Sequence, residues 1–387
     1  MSDLLIRNLG AIVTGDVDQP TVEGDAIVVR DGTVVGVGAE GDLDAADLTT
    51  VVDAAGATAM PGFCDDHTHP VLGDFTPRQL QVNFIDSYLH GGTTTMISAG
   101  EPHTPGRPTD PAGVKALAIL AARSFANLRP SGVKVHAGAV LLEPGLTEAD
   151  FAEMAASGVE LVGEIGISGV KDPETAAEMT RWAHANGMRV MVHTGGASIP
   201  GSGIVGADFV VTVRPDVAGH VNGGPTALPI DHVERILDET DARVEIVHNG
   251  NVKAAAEVAA LADRRHEWHR LVIGTDSPAG SGAQPLGMLR TMSWIASLAD
   301  VDPALAVAAA TGNVAALHRL GTGVIAPGRE ADLLVVDAPL GSQAADALGA
   351  LAIGDTPAVA VAAIDGTVRF TKSRNTPPPV RPVAVSG

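Results

Sequence analysis

The sequence predicts an α/β fold, a (β/α)8 TIM barrel with a small β-sandwich-like domain built from both chain ends. Three observations predict it. Through the middle of the chain, eight apolar β-branched runs alternate with Ala-rich helical runs, the pattern of βα units on a parallel sheet. Both flanks are β-rich without that alternation. The middle also has roughly the 250-residue length that such a barrel occupies. The expected division is residues 1–60 with 320–387 as the composite β-domain and 61–319 as the barrel.

The elements follow in order. Residues 4–14, 25–37 and 50–60 read as strands, with Asp31-Gly32 as a hairpin turn between two apolar runs. The barrel strands fall at 59–69, 93–100, 134–140, 160–167, 189–195, 216–222, 243–249 and 271–276, and helical stretches at 113–126, 174–186 and 251–264 lie among them. Residues 332–337 and 358–370, the latter with Asp365-Gly366 as a turn, return to strand texture. A doubly wound open sheet is the structural rival, but no Gly-rich phosphate fingerprint follows the first strand.

Composition narrows the function classes. The 387 residues are 45% hydrophobic, ample for a core, which excludes a disordered chain. Asp and Glu number 46 against 25 Lys and Arg, a formal net charge of −21. Such a field repels phosphate backbones and anionic lipid, so neither nucleic acid nor membrane is an expected partner. A local cationic pocket for an anionic small substrate stays open, because distant charges are screened. Cys64 is the single cysteine, so no intramolecular disulfide forms and a reducing compartment follows. The first residues lack a basic segment followed by a long apolar one, and no run long enough to span a bilayer occurs. The expectation is a soluble cytoplasmic protein.

The chemistry gathers at strand ends. The first barrel strand closes on Asp66-His67-Thr68-His69, the fourth carries Glu164, and the fifth to eighth end at His193, His220, His248 and Asp276. From Glu164 onward these recur every 27 to 29 positions, one βα unit per step. That places each at the C-terminal rim, where barrel enzymes build their sites. His67 and His69 are two apart on a strand and share a face, so both can grip one metal ion. Alone the pair also suits two exposed loop histidines; a carboxylate and further histidines at later strand ends favour the metal. His266 and His269 are spaced by three, not the four of a zinc-binding helix, and read as surface residues.

This set, inside a β-flanked barrel, resembles the amidohydrolase superfamily of metal-dependent hydrolases. Pro61-Gly62-Phe63-Cys64-Asp65-Asp66-His67-Thr68-His69 is similar to its first-strand signature, and Gly328-Arg329-Glu330-Ala331-Asp332-Leu333-Leu334-Val335 to its return to the β-domain. Residues 96–100, 106–108, 193–202, 222–227 and 371–378 resemble the subgroup that hydrolyses cyclic enamides in bacterial nicotinate degradation.

The resemblance implies a site and a reaction. His67, His69 and Asp276 would hold one divalent cation, His193 and His220 a second, with Glu164 bridging where many relatives use a carboxylated lysine, so Lys171 is not expected to be a ligand. The pair of cations would be zinc, or a mixed iron and zinc pair. Such cations lower a bound water's pKa from 15.7 to about 7, and Asp276 would act as general base, then general acid. Amide opening would convert 6-oxo-1,4,5,6-tetrahydronicotinate into 2-formylglutarate and ammonia. The substrate carboxylate would find its partner among His103, Arg107, Lys171, Thr194 and the neighbouring backbone amides, with Arg107 chemically strongest. His248 suits substrate contact and a packed rim position equally. Assembly as a homotetramer is implied too. A dihydroorotase-like or hydantoinase-like amidase, a deaminase of the same superfamily and a non-catalytic barrel scaffold are the rivals.

Overall fold

The computed structural model describes every residue except 1, 2, 103, 198–202, 224, 225 and 280. Eight parallel strands form the barrel: β1 (Phe63–Thr68), β2 (Thr93–Ser98), β3 (Lys134–His136), β4 (Leu161–Ile165), β5 (Arg189–His193), β6 (Val217–Gly219), β7 (Arg243–Val247) and β8 (Leu271–Gly274). Ladders join β1 through β3 and β4 through β8. Parallel bridges at Val140–Val162 and Thr68–Ser277 close the ring, and the Asp276 N–H donates to the His67 carbonyl across the second seam at 2.9 Å.

The connecting helices start where local chemistry tells them to. Asp110 and Asp172 accept hydrogen bonds from Gly113 and Thr175, each with proline in the first turn, ahead of helices Pro111–Asn127 and Pro173–Ala185. Asn251 caps Val252–Arg265 in the same manner. Inside the barrel, Cys64, Ile97, Leu161, Met191, Val217 and Val272 make one apolar cluster, to which Val314 and Leu317 of the helix Gly312–His318 also belong.

The flanks form two sheets that draw on both ends of the chain. One runs Thr367–Phe370, Ala358–Ile364, Leu333–Asp337, Thr58–Pro61, Ala11–Val13, Thr21–Val22; the other runs Ala384–Ser386, Thr50–Asp53, Leu4–Arg7, Ala26–Arg30, Thr33–Gly38. Ile6, Ile27 and Val52 from the second pack with Leu333, Val335 and Val361 from the first. Lys134, at the start of β3, ties barrel to flank through Glu330, Asp332 and Asp365 at 2.6–2.8 Å. Burial disfavours its charge, but the Asp332 carboxylate and its neighbours more than offset this and hold the ammonium protonated.

The single strand expected over 59–69 is two. Thr58–Pro61 belongs to the flank sheet and Phe63–Thr68 to the barrel. Gly62 separates them: a Cβ there would lie 2.1 Å from Thr94 Oγ1, so only glycine lets the chain pass. Residues 4–14 likewise divide between the two flank sheets, because apolar runs show strand character without showing which sheet receives it.

Candidate metal centre

β1 pairs with β2 as far as Asp65–Met96, then slips by one residue so that Thr68 meets Ser98. Such a bulge re-aims side chains at a strand end. His67 and His69 both reach Asp276 beyond β8: the Asp276 Oδ1 lies 3.2 Å from His69 Nε2 and 3.8 Å from His67 Nε2. The Gly100 carbonyl accepts from His69 Nδ1 at 2.5 Å and fixes that ring. Glu164 of β4 sets Oε1 at 3.0 Å from His193 Nδ1, 2.9 Å from His220 Nε2 and 3.8 Å from His67 Nε2. Six of the seven strand-end residues therefore lie together, and His248 is not among them.

Two sets among them have ligand atoms within 4.8 Å of one another: His67, Glu164 and His220, and His67, His69 and Asp276. His67 belongs to both. His193 stands outside these sets and touches the first through Glu164. Backbone geometry at the rim is costly, since His220 has φ 35° and Asp276 φ 53°, left-handed values worth about 1–3 kcal/mol each for a residue with a Cβ. Strand ends that store such strain aim side chains inward where regular strand would not.

The electrostatics favour a cation. Burial works against charge on Glu164, but hydrogen bonds from His193 and His220 and the nearby His67 ring hold its carboxyl well below the usual range. Burial likewise opposes the charge on Asp276, and His69, His67 and His220 together lower it. Burial opposes charge on His67 and His69 as well, but Glu245 and Glu164 around the first and Asp276 beside the second outweigh it, raising His67 well above its ordinary value and pushing His69 up to about 9. The negative potential at these nitrogens suits a divalent ion.

Donor geometry agrees. His67 Nε2 and His220 Nδ1 are buried without a hydrogen-bond partner. His67 Nε2 stands 3.8 Å from Glu164 Oε1 and from Asp276 Oδ1, too far for a direct hydrogen bond. That spacing suits an ion held by bonds of about 2.0–2.2 Å. The residues fit divalent metal.

Several contributors have no place in the spacing pattern. Glu245, in mid-β7, accepts from His67 Nδ1 at 2.8 Å. Asp65 accepts from the Thr275 hydroxyl at 2.7 Å and its N–H at 2.8 Å. Asp66 pairs with His318 at 2.5 Å inside the protein. The available signal was a carboxylate between apolar neighbours, as in Val244-Glu245-Ile246.

The expected substrate residues differ in their surroundings. Arg107 donates to Glu143 Oε1 at 2.9 Å and to the Pro108 carbonyl. The Thr194 hydroxyl donates to the Gly219 carbonyl at 2.8 Å. Lys171 is exposed. His248 stacks on Trp294 with ring centroids 4.7 Å apart, and burial beside Arg290 pushes its pKa down to about 4. His103 lies outside the described residues.

The family model for the amidohydrolase family matches residues 58–371. The chain belongs to the amidohydrolase family. Among members of this family, an enamidase from Eubacterium barkeri is 54% identical over 98% of this chain and 99% of its own. The crystal structure of enamidase, a member of the amidohydrolase superfamily, superposes with a TM-score of 0.96 at 54% identity, covering 99% of this chain and 100% of that one. An adenine deaminase from Ruegeria sp. is 26% identical over 81% of this chain and 51% of its own. The family likeness spans the barrel and its return to the flank sheets, the parts that hold the strand-end histidines and carboxylates.

Proposed function

We propose that this amidohydrolase is a binuclear-metal hydrolase that opens the C–N bond of a cyclic enamide, 6-oxo-1,4,5,6-tetrahydronicotinate, giving 2-formylglutarate and ammonia. The observation that carries the reading is 54% identity to an enamidase over 98% of the chain; the convergent site agrees with it. His67, His69 and Asp276 would hold one divalent ion and His193 and His220 the other, with Glu164 between them. When bound, the ions supply Lewis acidity for the amide carbonyl and a low-pKa water.

The chain's own residues then manage protons. Asp276, held ionised, takes the proton of the attacking water and delivers it to the departing ring nitrogen. Cleavage of the amide C–N bond leaves a carboxylate and an enamine. The enamine shifts to an imine, and a second water converts it to aldehyde and ammonia, which leaves as ammonium. Two waters are consumed and no redox partner is needed. The Thr194 hydroxyl is spent on the Gly219 carbonyl, and the Gly195 and Gly196 amides on Val205 and Thr226, so the candidates for the ring carboxylate are His103, Arg107, Lys171 and His248, with Arg107 chemically strongest.

The same reading takes residues 61–319 as the catalytic unit, 1–60 with 320–387 as its companion, and the cytoplasm as location. Among the described residues no helix is long and apolar enough to cross a membrane. Assembly would be homotetrameric, a point that light scattering decides. The decisive experiment combines elemental analysis with ammonium release from 6-oxo-1,4,5,6-tetrahydronicotinate. Two metal equivalents per chain and stoichiometric ammonium are expected. Metal without ammonium, and turnover instead of dihydroorotate, a hydantoin or adenine, would overturn the substrate assignment. A metal-free protein that turns the substrate over would overturn the binuclear reading.

A further inference from the structure

Glu245 is fully buried in the middle of β7 and belongs to neither potential ligand set. One of its oxygens, Oε2, receives two donors from two other strand ends. His67 Nδ1 lies at 2.8 Å and the backbone N–H of His220 at 2.9 Å. We propose that Glu245 is a positioning residue that locks His67 and His220 into one prearranged pair for metal. The inference rests on the metal-dependent reading above.

Three observations carry it. First, a carboxylate on Nδ1 keeps the proton there, which leaves the Nε2 lone pair facing Glu164 and Asp276. Second, the same oxygen holds the backbone of His220, whose φ of 35° needs an outside restraint. A single atom on β7 thus fixes a ring carried by β1 and a strained residue beyond β6. Third, there is little slack around it. A Cβ on Gly274 of β8 would sit 2.6 Å from His67 Cβ and 3.0 Å from Glu245 Oε1. The packing therefore requires glycine at that point of β8.

The other oxygen, Oε1, is buried and has no hydrogen-bond partner. An idle buried carboxylate oxygen costs stability, so a residue selected for folding alone would be neutral and satisfied. Its charge instead makes His67 a stronger donor through the shared proton, as carboxylates behind metal-binding imidazoles do.

The test compares the metal-loaded wild type with Glu245→Gln and Glu245→Asp. Glutamine keeps a carbonyl acceptor and loses the charge; aspartate keeps the charge but is too short to reach both donors. Should the glutamine variant not fold, the aspartate variant carries the test. Three quantities are read: the chelator concentration that strips half the metal, the unfolding temperature of the stripped protein, and kcat separately from KM. The expected result is metal loss at about 10- to 100-fold lower chelator, a reduced kcat at similar KM, and a stripped-state unfolding temperature close to wild type. Unchanged metal retention overturns the proposal. So does a retention loss matched by an equal fall in stripped-state stability, which would make Glu245 merely structural. A wild type that binds no metal overturns the metal-dependent reading as well, which separates the two failures.

Discussion

Asp276 faces two histidines at once, and under the proposed mechanism its carboxylate serves as both anchor and proton carrier. Oδ1 lies 3.2 Å from His69 Nε2, and the proposed role needs the other oxygen to carry the proton. Asp276→Asn keeps shape and one acceptor but cannot take that proton. A fall in kcat of about 10²- to 10⁴-fold is expected, with KM within a few-fold, measured by steady-state ammonium release. Arg107 behaves differently. It and Glu143 are nearly closed off, with side-chain exposures of 10% and 6%. Arg107→Ala therefore strands a buried carboxylate, and a loss of about 3–5 kcal/mol is expected in chemical denaturation. Arg107→Ala with Glu143→Ala should recover most of it. A KM rise above tenfold with unchanged stability would instead place the guanidinium on substrate.

At the scale of elements, the exit of β8 shows how the proposed proton carrier, Asp276, is aimed. A directional hydrogen-bond chain runs from the Gln284 N–H to the Tyr88 hydroxyl, on to Ser277, then Thr275, and ends on Asp65. Burial pushes the Asp65 carboxyl up to about 7 even though Thr275 and His67 donate to it. Thr275→Val removes the hydroxyl link beside Asp276, with an expected cost of about 1–3 kcal/mol and a reduced kcat. Thr275→Ser should restore both, as unfolding curves and initial rates will show. The barrel and its rim were legible in the sequence because metal chemistry places rare residue types at strand ends with βα spacing. Glu245, Asp65 and Asp66 were not, because their partners lie on other strands: Asp66 meets His318 across 252 positions, and alternation within one strand carries no such information. The break at Gly62 was hidden for a similar reason, since the obstruction is Thr94 on the neighbouring strand.

At the scale of the whole molecule, the −21 charge conceals local positive surroundings that make acid stability depend on particular histidines. Burial lowers the His136 pKa to about 4, helped by His318, Lys134 and Arg129 and opposed by Glu330. His248 is also lowered to about 4, by burial and then Arg290. Unfolded, both would titrate near 6.5. Between about pH 6.5 and 4 the unfolded chain binds protons that the folded chain refuses, so these two groups remove stability as pH falls through that window. Asp65 has the opposite sign: with its folded value near 7 it is protonated first in the native state, so its contribution is lost as pH rises. Metal release on acidification adds a further loss. The total slope is therefore not diagnostic, but a difference is. His136→Gln with His248→Gln leaves every proposed ligand and Asp65 in place, so subtracting its unfolding temperatures from wild type isolates the two histidines. The double variant should lose less stability between pH 7 and pH 4.5, the gap widening by roughly a few degrees across the window. Parallel curves would mean that both rings titrate in the folded protein as they do in the unfolded chain, so that neither burial nor the positive residues around His136 shift them.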